Sequence, residues 1–424
     1  MGNNLAAGLQ LLGHEPCFIT SLGDDNLGQF ARSELHRRRA KAAAKLKIIQ
    51  STGEPKGGRP SSCFALVLVD SISGQCEYVI ANLAAAKAIS KENLRQMGLD
   101  SLLAGDELIS GDELRCGPTP LVVMDANLPS ETLFHVLQLC SKLRVPVFVE
   151  PTDVNCLPSL FRCLQTANRL AATGGAPSGQ VGDLGGESCE QLGQLGGHPH
   201  GCWPAISMMS PNIIELKGLL ELFESGCDNG GHPNEGQPLG GPDEAPSSQT
   251  DCCLSIERVQ WMAQRLMQFC PLSLKCLLVT MDKRGVLVAI RGPSSKLGAP
   301  FADSLERIGL RQLICQNATI DKVGQPPKHC PSELLMKHLA PKQTIEQPIS
   351  GSGAGDCFAS GFISAYLDGL TLAQCLERAE SASLISLNSL DAVPDELAKL
   401  RPKRGQRLSA SLGETSAPIQ EEER

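Results

Sequence analysis

Seven residues, Ser350-Gly351-Ser352-Gly353-Ala354-Gly355-Asp356, combine a nearly bare backbone with a single carboxylate. Phe358, Phe362, Ile363, Tyr366 and Leu370 follow at three- and four-residue steps, which puts one apolar face on a helix that begins at the glycines. The unbonded N–H groups of such a helix start, together with the positive end of its dipole, can hold an anion. Asp356 stands within reach of whatever that anion reacts with, so the chemistry this spacing suits is phosphoryl transfer. The same residues also suit a plain glycine-rich helix entry with a first-turn acid that complements the dipole. The rest of the chain must separate the two readings.

Composition narrows the classes. A chain of 424 residues can hold one large core or two to three domains. Aromatic content is 4%, and the 42 Gly and 28 Pro gather in particular stretches, so the ordered part is expected to be one major domain shorter than the chain. The net charge of −8 argues against nucleic-acid or anionic-membrane partners and leaves small anions to local N–H or basic sites. The 18 cysteines are scattered, with Cys63, Cys140, Cys276 and Cys357 in apolar runs, which fits reduced thiols better than a disulfide framework. No apolar run reaches the about 18 residues of a membrane helix, and no basic-then-apolar leader opens the sequence. A soluble cytoplasmic protein is expected.

The elements that must position Asp356 alternate along the chain. Residues 5–12 read as a helix stopped by Gly13, 17–22 as a strand before Gly23-Asp24-Asp25, and 27–35 as a second helix. Residues 62–69 and 76–80 read as a hairpin across a turn at 70–74, interrupting the α/β pattern like a small β lid. Strand 121–125, helix 130–143 and strand 145–150 resume it, with apolar runs that suit buried parallel strands. A short block at 207–216, helix 256–269 and strand 276–280 come next, and Thr280 to Gly285 fall at a sheet's carboxyl edge, where open α/β sheets bind ligands. Stretches at about 174–201, 225–253 and 292–341 break composition and read as insertions, and 401–424 as a disordered tail.

Four blocks then stand in order: Asn4 in a helix before Gly23-Asp24-Asp25, Asn127-Leu128-Pro129, Ser210-Pro211-Asn212 with Glu215, and Gly353-Ala354-Gly355-Asp356. Over most of residues 1–400 this resembles the pfkB (ribokinase-like) carbohydrate and nucleoside kinases. Ile80-Ala81-Asn82, Asp125-Ala126-Asn127-Leu128-Pro129 and Val149-Glu150-Pro151-Thr152 make it most similar to the pseudouridine kinases among them. The resemblance implies a three-layer α/β/α core with a mainly parallel sheet and a small β lid at about 46–85. It implies an ATP-dependent kinase using Mg2+, optionally with a monovalent cation such as K+, acting on the 5′-hydroxyl of pseudouridine. Asp356 would be the general base, with Gly353, Ala354 and Gly355 as the anion hole. Asn4, Asp125 and Asn127 would meet the acceptor, an N-cap being the alternative role for Asn4. Asn212 and Glu215 would help place Mg2+, or else brace a helix. Thr280, Asp282 and Gly285 would line the nucleotide, with Asn388 near the adenine edge. Pairing of lids into a homodimer is also implied.

The sequence departs from that pattern in two places. The family carries a strand and a Gly-Gly pair upstream of the position of Asn4, where this sequence has Met1-Gly2, so a shortened form with impaired activity or stability is an expectation. The family's Thr-Leu-Gly-x-x-Gly is Thr280-Met281-Asp282-Lys283-Arg284-Gly285 here, which puts a carboxylate near the phosphates. Another pfkB sugar or nucleoside kinase, and an inactive pseudokinase that binds ligands or proteins, therefore stay open as alternatives. Cys189, His198, His200 and Cys202 as a metal set, and the basic run from His36 to Lys41 as an RNA contact, are weaker readings.

Overall fold

The computed structural model describes residues 1–39, 46–50, 62–69, 76–82, 84–104, 120–172, 206–228, 254–270, 273–293, 332–343, 345 and 347–402. In chain order the elements are α1 (Gly2–Leu11), β1 (Phe18–Leu22), α2 (Asn26–Arg39), β2 (Leu46–Gln50), β3 (Phe64–Val69) and β4 (Cys76–Asn82). There follow α3 (Lys91–Gln96), α4 (Leu99–Ala104), β5 (Val122–Asp125), α5 (Ser130–Lys142), β6 (Val147–Glu150), α6 (Leu157–Ala172) and β7 (Met208–Met209). The chain continues with α7 (Ile213–Asp228), α8 (Ile256–Phe269), β8 (Cys276–Thr280), β9 (Val286–Pro293), β10 (Ser332–Leu339), α9 (Ala354–Leu367) and α10 (Leu372–Leu387).

The main sheet has six strands in the order β10-β9-β8-β7-β6-β5. Strands β5 to β8 run parallel, and β9 and β10 add antiparallel at one edge. β1 and β2 form a separate parallel pair, and β3 with β4 an antiparallel hairpin in register Phe64↔Asn82.

Alternation along the central strands divides two cores. Val147, Val149, Met209, Leu277 and Val279 face one core shared with α3 to α8. Phe148, Met208, Cys276 and Leu278 face the other, filled by Leu5 and Leu9 of α1 and by the apolar faces of α9 and α10. Helices on both faces of a mostly parallel sheet make the expected three layers. The thiols of Cys140, Cys156, Cys163, Cys270, Cys276, Cys357 and Cys375 are free and buried. Among the described residues no helix is long and apolar enough to cross a membrane.

Several boundaries differ from the sequence reading. α1 starts at Gly2 with Met1 as its N-cap, so Asn4 lies inside the helix and is not its cap. α7 runs on to Asp228, into the interval read as an insertion. The interval 292–341 begins in β9 and ends in β10, whose partly buried Leu334 and Met336 pack on the core. Cross-strand pairing to β9 supplies what local composition does not announce. Residues 174–201, Cys189, His198, His200, Cys202 and the tail beyond residue 402 lie outside the described residues.

Candidate active site

Parallel strands with the same polarity end at the same edge, and here each end carries a polar residue. Asp125 closes β5 and pairs in register with Glu150, which closes β6. Asn212, just after β7, bridges Thr280, which closes β8, and the Thr280 N–H donates to Pro211 O at 3.0 Å. Asp125, Glu150, Asn212 and Thr280 thus form a row along the carboxyl edge of the sheet.

α9 brings Asp356 to that row. Its N-cap is Gly353, at φ 86°, and no side chain caps the helix. A Cβ on Gly353 would meet Ala392 O at 2.2 Å, so both backbone conformation and close approach demand glycine. Around a Cβ on Gly355, by contrast, there is nothing within 4 Å, and that face of the turn is open. Ala354 N–H makes only a 3.4 Å bond to Gly351 O.

Asp356, 7% exposed, does not bond its own helix end. Its Oδ2 accepts from the Asn4 amide at 2.8 Å, and its Oδ1 is buried without a partner. Burial raises the carboxyl above its ordinary range, the Asn4 hydrogen bond pulls it down, and nearby Asp125 pushes it up. An ordinary first-turn acid would spend its oxygens on the helix start; this one keeps an oxygen free.

Around it, Asp125 Oδ2 accepts from Gly2 N–H at 3.1 Å and Oδ1 from Asn127 N–H at 3.2 Å, an Asx turn that aims the chain after β5. Asn127 Oδ1 receives the Cys156 thiol at 3.2 Å. Glu150, 9% exposed, lies close enough to Glu215, Asp356 and Asp125 to feel all three, and with burial as the main cause its carboxyl is pushed well above its ordinary range. Glu150 carried the family likeness without a role. The signal for one was a carboxylate ending an otherwise apolar strand beside Asp125. Two residues on, Thr152 takes φ 74°, a strained choice for a β-branched residue.

Asn212 and Glu215 cap α7 reciprocally. Glu215 Oε2 accepts from Asn212 N–H at 2.9 Å and Asn212 Oδ1 from Glu215 N–H at 2.8 Å. Burial pushes Glu215 up to about 7, against the Asn212 N–H, which lowers it. Past Thr280, Asp282 adopts φ 53°, a conformation open to Asp as to the glycine that the resemblance expects there. Gly285 takes φ 89°, and a Cβ there would stand 2.1 Å from Leu339 O. Arg284 donates to Leu254 O at 2.5 Å, while Asp282 and Lys283 are both exposed. Asn388 donates its amide to Leu384 O at 2.9 Å and lines a cavity of about 340 Å³ with Leu384, Ile385, Ser389, Glu396 and Lys399. Behind the glycine turn, Cys357 Sγ and Ser386 Oγ both donate to Ala392 O, the atom that a Cβ on Gly353 would strike.

Gly355 leaves open space for an anion at the start of α9, and the next residue, Asp356, keeps its buried Oδ1 without a partner. Among the described residues no three His, Cys, Asp or Glu side chains are grouped to hold a metal. A Mg2+ that arrives with nucleotide phosphates needs only one or two carboxylates and keeps several waters, which Glu215 and the Asn212 amide can meet.

Comparison with known proteins bears on the fold. The pfkB family carbohydrate kinase profile matches residues 335–396, a span that starts within β10 and runs through the glycine turn, α9 and α10 to just beyond α10. No curated protein matches the chain. Among solved structures, adenosine kinase from Anopheles gambiae in complex with P1,P4-di(adenosine-5) tetraphosphate is 14% identical with a TM-score of 0.53, covering 95% of this chain and 81% of that one. Adenosine kinase from Sinorhizobium meliloti is 14% identical at TM-score 0.51, covering 96% and 81%. A probable sugar kinase from Rhizobium etli is 13% identical at 0.50, covering 96% and 80%. The chain has a ribokinase-like α/β fold.

Proposed function

We propose that the protein is an ATP- and Mg2+-dependent phosphotransferase that moves the γ-phosphoryl group to a hydroxyl of a nucleoside or sugar, the 5′-hydroxyl of pseudouridine first among them. The observation that carries this reading is the buried Asp356 carboxylate, one oxygen held by Asn4 and the other without a partner, at a helix start that no side chain caps.

In this reading Oδ1 of Asp356 takes the proton of the acceptor hydroxyl, a role worth about 10²–10⁴-fold in rate. Asn4 fixes the carboxylate's rotation and opposes the upward drift of its pKa. N–H groups at Gly353, Ala354 and Gly355 meet the charge that spreads over the transferring group. Asp125 and Asn127 orient the acceptor by paired hydrogen bonds, and Thr280, Asp282, Gly285 and Asn388 flank the nucleotide. When bound, Mg2+ supplies neutralisation of phosphate charge, with Asn212 and Glu215 holding it through water and K+ as an optional further ion. A second reading, a ligand-binding protein without turnover, is favoured by the exposed Asp282 carboxylate on the nucleotide loop.

The test is purified protein with Mg-ATP against pseudouridine, uridine, adenosine and ribose, beside Asp356→Asn. Phosphorylation of one acceptor that disappears in the variant supports the reading. No turnover with any acceptor, or equal turnover by the variant, sinks it.

A further inference from the structure

The turn Gly23-Asp24-Asp25 takes no part in the site described above, yet Asp25 gathers an unusual number of donors. Its Oδ1 accepts from Gly28 N–H at 2.7 Å and from Ser62 Oγ–H at 2.6 Å, and its Oδ2 accepts from Ser62 N–H at 2.8 Å. Ser62 Oγ in turn accepts from Gly23 N–H at 3.0 Å. Ser62 is 1% exposed, two residues before β3. The approach is tight enough that a Cβ on Gly28 would meet Gly23 O at 2.2 Å and Ser62 Oγ at 2.6 Å.

The other foot of the hairpin is tied to the same corner. Ser21 Oγ, at the end of β1, donates to Ala85 O at 2.5 Å, and Ala85 lies fully buried just after β4. The feet also meet each other, because the Cys63 thiol faces the backbone N–H groups of Ala86 and Ala85. The same corner reaches the acceptor end of the candidate site through β1, because a Cβ on Gly2 would stand 3.2 Å from Asp125 Oδ2 and 3.6 Å from the ring of Phe18, the first residue of β1.

We propose that Asp25 is a positioning residue: through Ser62 it latches the feet of the β3–β4 hairpin to the β1–α2 corner and so holds the hairpin against the acceptor side, at Asp125. The proposal rests on the kinase reading for its kinetic consequence only; the latch itself is a property of the fold. Because Asp25 touches no reacting atom, its loss weakens acceptor capture more than the chemical step. An amide in its place keeps one acceptor oxygen where three donors converge.

The experiment compares wild type with Asp25→Asn and, as a second variant that leaves the carboxylate intact, Ser62→Ala. Backbone hydrogen exchange is read at 62–69, 76–82 and α9, and steady-state kinetics are read with Mg-ATP and whichever acceptor wild type phosphorylates. Expected in both variants are faster exchange confined to the two hairpin strands and an acceptor KM raised about tenfold, the scale of one hydrogen bond to a charged group, with ATP KM and kcat nearly unchanged. Unchanged exchange and KM in both variants overturns the proposal. So does exchange that rises equally in α9, since that is general destabilisation. Faster exchange of the hairpin in a protein whose wild type phosphorylates nothing upholds the latch and sinks the kinase reading.

Discussion

α9 and α10 are neighbouring helices of similar length, packed on each other through Cys357, Ala379 and Ala382, yet they begin in opposite ways. α10 satisfies its own start: Thr371 Oγ1 accepts from Gln374 N–H at 3.4 Å and Gln374 Oε1 accepts from Thr371 N–H at 3.0 Å. α9 begins at a left-handed glycine with no cap, and its first-turn acid turns to Asn4 instead of back to the helix. A helix end left unsatisfied beside a row of strand-end polar groups is a place kept for something else to bind. α7 falls between the two, because Asn212 and Glu215 cap it while leaving polar atoms toward the same row.

The largest expected difference lies in chemistry. Asp356→Asn should lower kcat by about 10²–10⁴-fold while the variant stays folded, because the amide keeps the shape and removes a buried charge. In wild type the acid limb of kcat/KM should lie above the range of an ordinary carboxylate, turnover falling as pH drops through the raised pKa. Asn4→Ala should move that limb further up, since the bond it deletes is one that lowers the pKa. An Asp356→Asn variant as active as wild type would make the contrast between the helices a packing accident.

Next comes the backbone. Gly353→Ala places a side chain at φ 86° and against Ala392 O, so a loss of several kcal/mol is expected, of which about 1–2 comes from the left-handed conformation alone. Gly355→Ala meets open space and should be stable, gaining up to about 1 kcal/mol of helix propensity, while crowding the anion face and raising the KM for ATP. Thermal melts with ATP titrations distinguish the two; equal stability losses would remove the open face.

Glu215 gives an effect of intermediate size with a defined sign. Its carboxyl rises from 4.5 in the unfolded chain to about 7 in the fold. The stability contributed by the protonated form is therefore complete below the unfolded value and lost as pH rises through about 7, a change on the order of 3 kcal/mol. Glu215→Gln does not titrate, so its urea stability relative to wild type should climb across that window and level off above it. A flat difference would mean that the capping pair is solvated.

Most of this architecture was legible in residue patterns. The apolar runs of β5, β6 and β8 and the stepped apolar residues of α9 announced a layered α/β core, because β6 and β8 are buried on both faces and α9 is buried all round from Asp356 to Tyr366. β10 was hidden among glycines and prolines, since its stability comes from pairing with β9 and not from local propensity. Asp356 and the glycines could be singled out because their chemistry is local. Asn4 was singled out for the acceptor, but its bond to Asp356 joins residues 352 positions apart, which no spacing rule reaches. Asp25 stood out only as part of the Gly23-Asp24-Asp25 turn for the same reason, as its partner at Ser62 lies 37 residues on.

The smallest effect tests the capped helix. Thr371→Ala removes the acceptor that α10 provides for its own Gln374 N–H, and the site is exposed, so water can replace part of the bond. A cost of about 1 kcal/mol is expected, with kcat and both KM values unchanged. Restoring the cap as Thr371→Ser should recover most of the loss, because the hydroxyl and not the methyl does the capping. A Thr371→Ala variant with full stability but altered ATP binding would mean that the start of α10, and not only that of α9, reaches the ligand. The contrast between a helix closed for stability and a helix left open for an anion would then be wrong at its closed end.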